Sequence, residues 1–199
     1  MDIKYKITFH TYWHCGSGLA AGADADLLVI KDREGLPFVP GKTIKGLVRE
    51  AIDLLYPNAI GYEKVFGKEG ETRSDAFFTN ATLPEEEHRY IAYKEYSQFL
   101  YQNISSTAIT DEGIADATTL RKIQVCVPCI LEGQILNVPD PSESEDSSQK
   151  GDDDKVHIYN ALINCLHYIK RMGSWRNRGL GRCTIEEDPK ILNEEGGEA

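Results

Sequence analysis

The sequence lacks a long apolar run and a regular set of cysteines. No stretch of the 199 residues approaches the roughly 20 consecutive apolar residues that span a bilayer. The five cysteines are odd in number and irregularly spaced, which is typical of a reducing compartment rather than of a disulfide framework. The N-terminal MDIKYKITFH has no signal-peptide core. We therefore expect a soluble, cytoplasmic protein with no membrane partner.

Lysine and arginine are outnumbered by acids, which at first argues against a nucleic-acid ligand. The net charge is −10, but residues 140–154 carry −6 and residues 186–199 carry −5, so the remainder carries about +1. Both segments are poor in apolar residues. This composition predicts a disordered acidic loop at about 140–155 and a flexible acidic tail at 189–199. The folded body is near neutral, and an RNA ligand is not excluded.

Regular apolar patterns predict one α+β domain over residues 1–188. The predicted strands are 2–10, 27–30, 74–83, 121–136 and 183–187. The predicted helices are 43–55, with Thr43 as N-cap, 85–101 and 156–171. Their order favours a ferredoxin-like (RRM-like) core sheet with helices on one face and long insertions. An insertion occupies about 84–120, and within it Asn103–Thr119 is polar and aperiodic, which is typical of a functional excursion.

Three basic residues cluster where the first helix begins. Lys42, Lys45 and Arg49 lie at or just after its start, and Lys45 and Arg49 are one turn apart on one face. Free N–H groups and the positive end of the helix favour an anion there. The alternative is that these side chains only solvate an amphipathic helix.

The segment GSWRNRGLGRC combines arginines with glycines, a composition that suits an anion-holding loop. The residues predicted to contact RNA phosphates are Arg176, Arg178, Gly179, Gly181 and Arg182. Trp175 either stacks on a base or anchors the loop by packing. The alternative interpretation is a helix-to-strand connection with a glycine cap.

Two carboxylates precede the predicted second strand. Asp24 and Asp26 are two residues apart, so in extended backbone they point the same way and could share a divalent ion. The alternative is that both are ordinary turn residues.

Cysteine and histidine give weaker signals. Cys126 and Cys129 form a C-x-x-C pair without a second pair, so zinc is unlikely unless His10, His14 or Cys15 lie close by. His14 is a candidate general acid or base, although a hydrogen-bonded structural role is favoured.

Three segments occur in a distinctive order: PFVPGKTIKGLVRE, then VFGKEG with SDAFFTNATL, then GSWRNRGLGRC. This combination resembles the RAMP superfamily (repeat-associated mysterious proteins) of CRISPR systems, and most of all the backbone subunits of type III effector complexes. Pro40-Gly41, Lys45-Gly46 and Arg49 match the family's early signature, and Gly179–Arg182 match its glycine-rich loop. The resemblance spans about Ile3 to Ile185.

The resemblance implies an antiviral RNA-binding subunit. Its RRM-like core would bind guide RNA, with other RAMP subunits of the complex as neighbours and target RNA paired to the guide. A protruding thumb would kink the guide–target duplex, and Asn103–Thr119 is our prediction for it. Base specificity would come from the guide.

In catalytic members of the family an aspartate in the first loop cleaves target RNA with a divalent metal ion, Mg²⁺ or Mn²⁺. With VIKD as the anchor, that position and metal ligand is Asp26, close to Asp24. The loop from Gly16 to Ala23 is shorter than is usual in the family, which leaves open which carboxylate acts. The expected activity is a metal-dependent endoribonuclease.

Three alternatives stay open at this point. The chain could be a non-catalytic scaffold subunit, a metal-independent guide-RNA-processing endoribonuclease that uses His14, or an acidic protein-interaction module.

Overall fold

The computed structural model describes residues 1–19, 26–57, 62–67, 73–116, 119–139 and 158–188. The predicted acidic loop and tail, together with Asp24, lie outside these ranges. Within them, no helix has the length and apolar character needed to cross a membrane.

A four-stranded antiparallel sheet forms the centre of the fold. Its strands are β1 (Ile3–Phe9), β2 (Phe77–Phe78), β5 (Ile130–Leu136) and β6 (Cys183–Glu187). Their order across the sheet is β2-β5-β1-β6, with β1 antiparallel to both β5 and β6. With a helix after β1 and another after β5, this is the ferredoxin-like arrangement that the sequence predicts.

Two helices cover one face of this sheet, α1 (Gly41–Leu55) and α4 (Ile158–Tyr168). Strand β1 alternates strictly, so that Ile3, Tyr5, Ile7 and Phe9 are buried while the residues between them are half-buried. Each helix contributes to the same core a row of buried side chains at helical spacing. Its buried members are Ile44, Val48, Ala51, Ile52, Ala161, Leu162, Cys165 and Leu166.

An insertion between β2 and β5 carries the remaining elements. It contains α3 (Glu85–Tyr93), a 3₁₀ turn (Tyr96–Leu100), and a two-stranded hairpin of β3 (Tyr101–Ser106) and β4 (Arg121–Cys126). The hairpin register runs from Tyr101 opposite Cys126 to Ser106 opposite Arg121. A short helix, α2 (Glu63–Phe66), precedes β2.

The structure corrects several predicted boundaries. Helix α1 begins at Gly41 with Pro40 as N-cap, so Thr43 is not the cap. Residues 27–30 form isolated bridges instead of a strand, because they pair with two separate segments. The segment 85–101 is a helix and a 3₁₀ turn joined at Glu95, which has a φ of 57°. Part of the aperiodic 103–119 segment belongs to strand β3. Its residues are mostly polar, so the sequence shows no alternation of apolar and polar residues there.

The sheet topology gathers the functional segments at one end of the molecule. Strand β1 ends at Phe9 opposite Cys183, the first residue of β6, so the preceding turn (169–182) lies at that end. Strand β2 is antiparallel to β5 and therefore runs parallel to β1. Its last residue, Phe78, lies against Gly41 at the start of α1. The hairpin insertion also leaves the sheet at this end.

Candidate nucleic-acid interface

The start of α1 is pressed against the end of β2. A Cβ at Gly41 would lie 2.0 Å from the carbonyl oxygen of Phe78. The N–H of Gly41 donates to Oδ1 of Asn80 at 3.0 Å, and the N–H of Thr43 donates to the carbonyl of Pro40 at 2.9 Å. Because these amides already have partners, an anion at this site would contact mainly the basic side chains.

Lys42 and Arg49 are exposed on α1, and Lys45 is half-buried between them. Partial burial lowers the pKa of Lys45, and the nearby positive charge of Arg49 lowers it further. The predicted pairing of Lys45 and Arg49 on one helix face is therefore present. Two neighbouring cations bind a phosphate more favourably than either would alone.

In the glycine–arginine turn, defined here as residues 171–183, many backbone amides already donate to acceptors within the protein. The N–H of Ser174 donates to the His14 carbonyl at 2.8 Å, and that of Gly181 donates to the Tyr12 carbonyl at 2.8 Å. The N–H of Arg178 donates to the Trp175 carbonyl at 2.7 Å. The expected backbone nest is thus largely occupied, and the glycines serve the folding of the turn.

Three of the four arginines of this turn, Arg176, Arg178 and Arg182, were predicted to contact RNA, and all three are exposed. Arg176 and Arg178 lie on a 3₁₀ turn between Trp175 and Gly179, both in the left-handed region. The guanidinium of Arg178 lies 5.5 Å from the centre of the Trp175 ring. No ion pair with a carboxylate occupies these arginines within the ranges that the structure describes. Their charge is available to a phosphate.

A second, smaller hydrophobic cluster attaches this turn to the hairpin. Leu180 of the turn is buried against Ile123 and Val125 of β4. Three half-buried side chains complete the cluster, namely Tyr12, Ile104 and Trp175. Trp175 therefore packs as an anchor, one of the two roles expected from the sequence. Because the Arg178 guanidinium lies over the Trp175 ring, this packing places the arginine-bearing turn beside the hairpin.

The hairpin tip extends this surface. All described residues from Thr107 to Ala115 are exposed, including Ile109 (73%) and Ile114 (65%). The tip is held by its own hydrogen bonds, such as the N–H of Thr110 to the carbonyl of Ile114 at 2.8 Å. The described part of the 103–119 segment thus lies in an exposed hairpin, and its role as a thumb stays a prediction.

Asp26 lies exposed at the side of the hairpin. Its Oδ2 accepts a hydrogen bond from the N–H of Lys122 at 2.7 Å, and its own N–H donates to the Lys122 carbonyl at 2.8 Å. These two bonds fix Asp26 beside β4.

The described residues do not complete a divalent-metal site at Asp26. Among them, the single group of three potential ligands within 4.8 Å of one another is Asp32, Glu34 and His88. It includes neither Asp26 nor the Cys126 and Cys129 pair. A lone carboxylate with one oxygen already hydrogen-bonded is too little for a stable ion from the protein alone.

His14 has a structural role. It is 1% exposed, and its Nδ1 lies 2.7 Å from the carbonyl oxygen of Gln124. Because a carbonyl only accepts, the neutral ring carries its proton on Nδ1. His14 thus joins β4 to the glycine–arginine turn, whose Ser174 bonds to the His14 carbonyl. A buried ring in this position does not support the metal-independent nuclease.

Sequence reasoning missed the contacts of the VIKD motif. Oδ1 of Asp32 accepts from the N–H groups of Glu34 (3.0 Å) and Leu36 (2.8 Å), and its Oδ2 lies 2.8 Å from Nε2 of His88. The ammonium of Lys31 lies 3.9 Å from the centre of the Tyr101 ring. The motif therefore fastens α3 and the hairpin base to the core. In the sequence, an aspartate three residues before a glycine (Asp32 and Gly35) could have indicated the turn in which Asp32 accepts these backbone hydrogen bonds.

The open face of the sheet is unlike an RNA-binding RRM surface. Nζ of Lys6 lies 2.9 Å from Asp188 and 3.4 Å from Glu132. These acids neutralise the lysine and would repel phosphates. The end of the sheet, by contrast, presents the exposed Arg176, Arg178 and Arg182.

Comparison with known proteins agrees with this architecture. The sequence matches the RAMP superfamily over residues 6–184, and the chain belongs to that superfamily. No curated protein is similar in sequence at a significant level. A chain in the cryo-EM structure of Type III-B Cmr-beta bound to cognate target RNA is 11% identical with a TM-score of 0.67, over 94% of this chain and 97% of that one. A chain of Type III-B Cmr-beta in the apo state is 12% identical with a TM-score of 0.66, over 96% and 98%. At these identities the likeness shows a shared fold.

Proposed function

We propose that this RAMP superfamily member is an RNA-binding subunit of a type III CRISPR effector complex, with guide RNA and target RNA as ligands and other RAMP subunits as neighbours. Family membership supports the class of protein. The likeness in fold to chains of Cmr-beta complexes, one of which is bound to target RNA, supports the type of complex.

One observation carries the RNA-binding proposal: the exposed arginines of the glycine–arginine turn share a surface with the hairpin. Leu180 and Trp175 pack on Ile123 and Val125, so the turn and the hairpin are fixed relative to each other. A rigid cationic surface beside a projecting finger suits an extended polyanion better than a small ligand. The start of α1 adds further cations at the same end of the sheet.

Phosphate contacts would be made by side chains rather than by backbone amides. The amides of Ser174, Arg178 and Gly181 already have partners. Guanidinium groups bind phosphate oxygens bidentately, so Arg176, Arg178 and Arg182 would each be able to hold one phosphate. Contacts of this kind position a strand without reading its bases, which agrees with specificity supplied by a guide.

Salt dependence of RNA binding tests this proposal. The full chain is titrated against a single-stranded RNA oligonucleotide in anisotropy assays at several salt concentrations. We expect log K to fall with log salt with a slope of about −2 from the three arginines, since each neutralised phosphate contributes about −0.7. An acidic protein-interaction module would retain no RNA at about 0.15 M salt. Absence of binding even at about 0.05 M salt would overturn the proposal.

Cleavage of target RNA by Asp26 is a further part of the proposal. Asp26 is exposed and held beside the hairpin by Lys122, so its carboxylate would lie near an RNA strand on that surface. A divalent ion, where the complex supplies one, would activate a nucleophile there. The described residues do not form that ion site alone. The scaffold alternative differs only in having no cleavage.

A further inference from the structure

Three metal-ligating side chains come together where the turn of residues 32–36 meets helix α3. Asp32, Glu34 and His88 each place one ligand atom within 4.8 Å of the other two. His88 is 56 residues from Asp32 in the sequence, yet its Nε2 lies 2.8 Å from the Asp32 Oδ2. Acidic groups alone are common on protein surfaces, but an imidazole nitrogen among them is a characteristic transition-metal ligand. None of the residues assigned to RNA binding belongs to this group.

The group is accessible from solvent, while one of its carboxylates is already fixed. Oδ1 of Asp32 accepts the N–H groups of Glu34 and Leu36, at 3.0 and 2.8 Å, so its Oδ2 is the oxygen left for a further ligand. The side chains of Asp32 and His88 are 21% and 29% exposed, and Glu34 is exposed. His88 also lines an open groove of about 450 Å³. An ion can therefore reach Oδ2 and Nε2 without unfolding of the region.

The donor set selects the class of ion. One imidazole nitrogen and two carboxylate oxygens suit Zn²⁺, whereas Mg²⁺ and Ca²⁺ prefer oxygen ligands alone. Among first-row divalent ions, Zn²⁺ binds sites of this type more tightly than Mn²⁺ or Fe²⁺ does. The carboxylates of Asp32 and Glu34 balance the two positive charges, and the ion removes the repulsion between them. Three protein ligands leave a fourth position for water.

We propose that Asp32, Glu34 and His88 bind one Zn²⁺ ion. His88 binds through Nε2 as the neutral ring, with its proton on Nδ1, and the ion takes the place of the hydrogen bond to Asp32. At bond lengths of about 2.0–2.1 Å, two tetrahedral ligand atoms lie about 3.3 Å apart, so Nε2 and Oδ2 separate by about 0.5 Å. Rotation of the exposed Glu34 side chain brings in the third ligand.

Such an ion would strengthen a junction between three elements. Helix α3 has no buried residue, and the contact of His88 with Asp32 joins it to the turn. The same turn holds strand β3, because the Tyr101 hydroxyl donates to the Gly35 carbonyl at 2.7 Å. Zinc would thus fix the start of the hairpin insertion to the core. This effect does not depend on RNA.

Calorimetry with zinc alone tests the proposal. The full chain is freed of metal with EDTA, dialysed and titrated with Zn²⁺. We expect one ion per chain to bind, and the melting temperature to rise when zinc is added. Absence of binding up to about 0.1 mM Zn²⁺ would overturn the proposal. RNA is absent from this experiment, so its outcome is separate from the RNA-binding proposal.

Matched variants assign the ion to these side chains. His88→Gln should weaken zinc binding by at least about 100-fold, because an amide replaces the imidazole while still donating a hydrogen bond to Asp32. Glu86 is exposed on α3 and lies outside the group, so Glu86→Gln should bind zinc like the wild type. Cys129→Ser should do the same, which separates the site from the Cys126 and Cys129 pair. Unchanged affinity in His88→Gln, or loss of binding in either control, would overturn the proposal.

Hydrogen exchange supplies a second readout on the same proteins, whose folding is checked by circular dichroism. Should His88→Gln fail to fold, Glu34→Gln carries the comparison, because its side chain is exposed and the loss of one ligand should weaken binding about tenfold. Zinc should slow the exchange of the α3 amides in the wild type and not in these variants. Zinc that binds but leaves exchange in α3 unchanged would assign the ion to another part of the chain and overturn the proposal.

Discussion

Gly181 lies so close to Met172 that a Cβ at residue 181 would be 1.9 Å from the Met172 carbonyl oxygen. The two residues are also joined by a hydrogen bond, since the N–H of Met172 donates to the Gly181 carbonyl at 3.0 Å. Gly181 has a φ of +68°, in the left-handed region. The turn that carries the arginines therefore closes on itself only with glycine at this position.

Gly181→Ala should destabilise the fold far more than Gly179→Ala. Gly179 has a φ of +91° but open space around it, so its alanine variant costs only the left-handed conformation, about 1–2 kcal/mol. Gly181→Ala adds a backbone clash, and we expect a loss of more than about 3 kcal/mol. Urea unfolding of both variants gives the comparison. Equal midpoints would contradict the packing described for this turn.

The helix α1 supplies a second matched pair of glycines. A Cβ at Gly41 would lie 2.0 Å from the Phe78 carbonyl oxygen, whereas a Cβ at Gly46 meets no atom within 4 Å. Gly41→Ala should therefore lower the melting temperature. Gly46→Ala should raise stability by about 1 kcal/mol, because alanine favours the helix interior. Thermal unfolding of the two variants measures this difference. A higher melting temperature for Gly41→Ala would show that α1 begins elsewhere.

Charge reversal on α1 should weaken RNA binding more than charge reversal on β4. Lys45 shares one helix face with Arg49, so Lys45→Glu removes one phosphate contact and opposes a second. We expect roughly tenfold weaker binding, about 1.4 kcal/mol, and a salt slope smaller by about 1. Lys122→Glu, on the hairpin, is the matched control in the same anisotropy assay. Equal losses for both variants would count against the site at the helix start.

Asp26→Asn should separate cleavage from binding. Asparagine keeps an oxygen that accepts from the N–H of Lys122, so the fold and RNA binding should be unchanged. Loss of the carboxylate charge should reduce target cleavage by the assembled complex by about 100-fold. Cleavage and RNA retention are measured on the same preparation. If Asp26→Asn cleaves target RNA as fast as the wild type, Asp26 is not catalytic and the scaffold role is favoured.

Because His14 is buried, the free energy of unfolding should fall in mild acid. Burial lowers its pKa below the ordinary value near 6.5, against the effect of its bond to Gln124. The unfolded chain therefore binds a proton at a higher pH than the folded protein does. The contribution of neutral His14 is complete above about pH 6.5 and is lost as the pH falls through the lowered pKa. Urea midpoints from pH 7.5 to 5 measure this.

His14→Gln is the control for that profile, because an amide donor can still reach the Gln124 carbonyl but does not titrate. Its midpoints should vary less with pH than those of the wild type. Parallel profiles for the two proteins would assign the acid sensitivity to other groups.

The sequence by itself determined the fold class and the family. Strand β1 and helix α4 have strict periods of two and 3.6, and each period fixes which side chains face the core. In α4 this spacing places Ala161, Leu162 and Cys165 on the buried side of the helix. The order of strands and helices was enough for the ferredoxin-like sheet, and the early and late motifs were enough for the superfamily.

The tertiary structure alone decided how the candidate site is built. Tyr12, Ile123 and Leu180 are far apart in sequence, and only the sheet topology brings them into one cluster that ties the arginine turn to the hairpin. The same topology brings the carbonyl groups of Tyr12 and His14 to the amides of the turn, and it buries the side chain of His14. Local periodicity records which face of an element is apolar, but it carries no information on which distant segment will cover that face. The chemistry of this surface depends on which distant segment packs against which face.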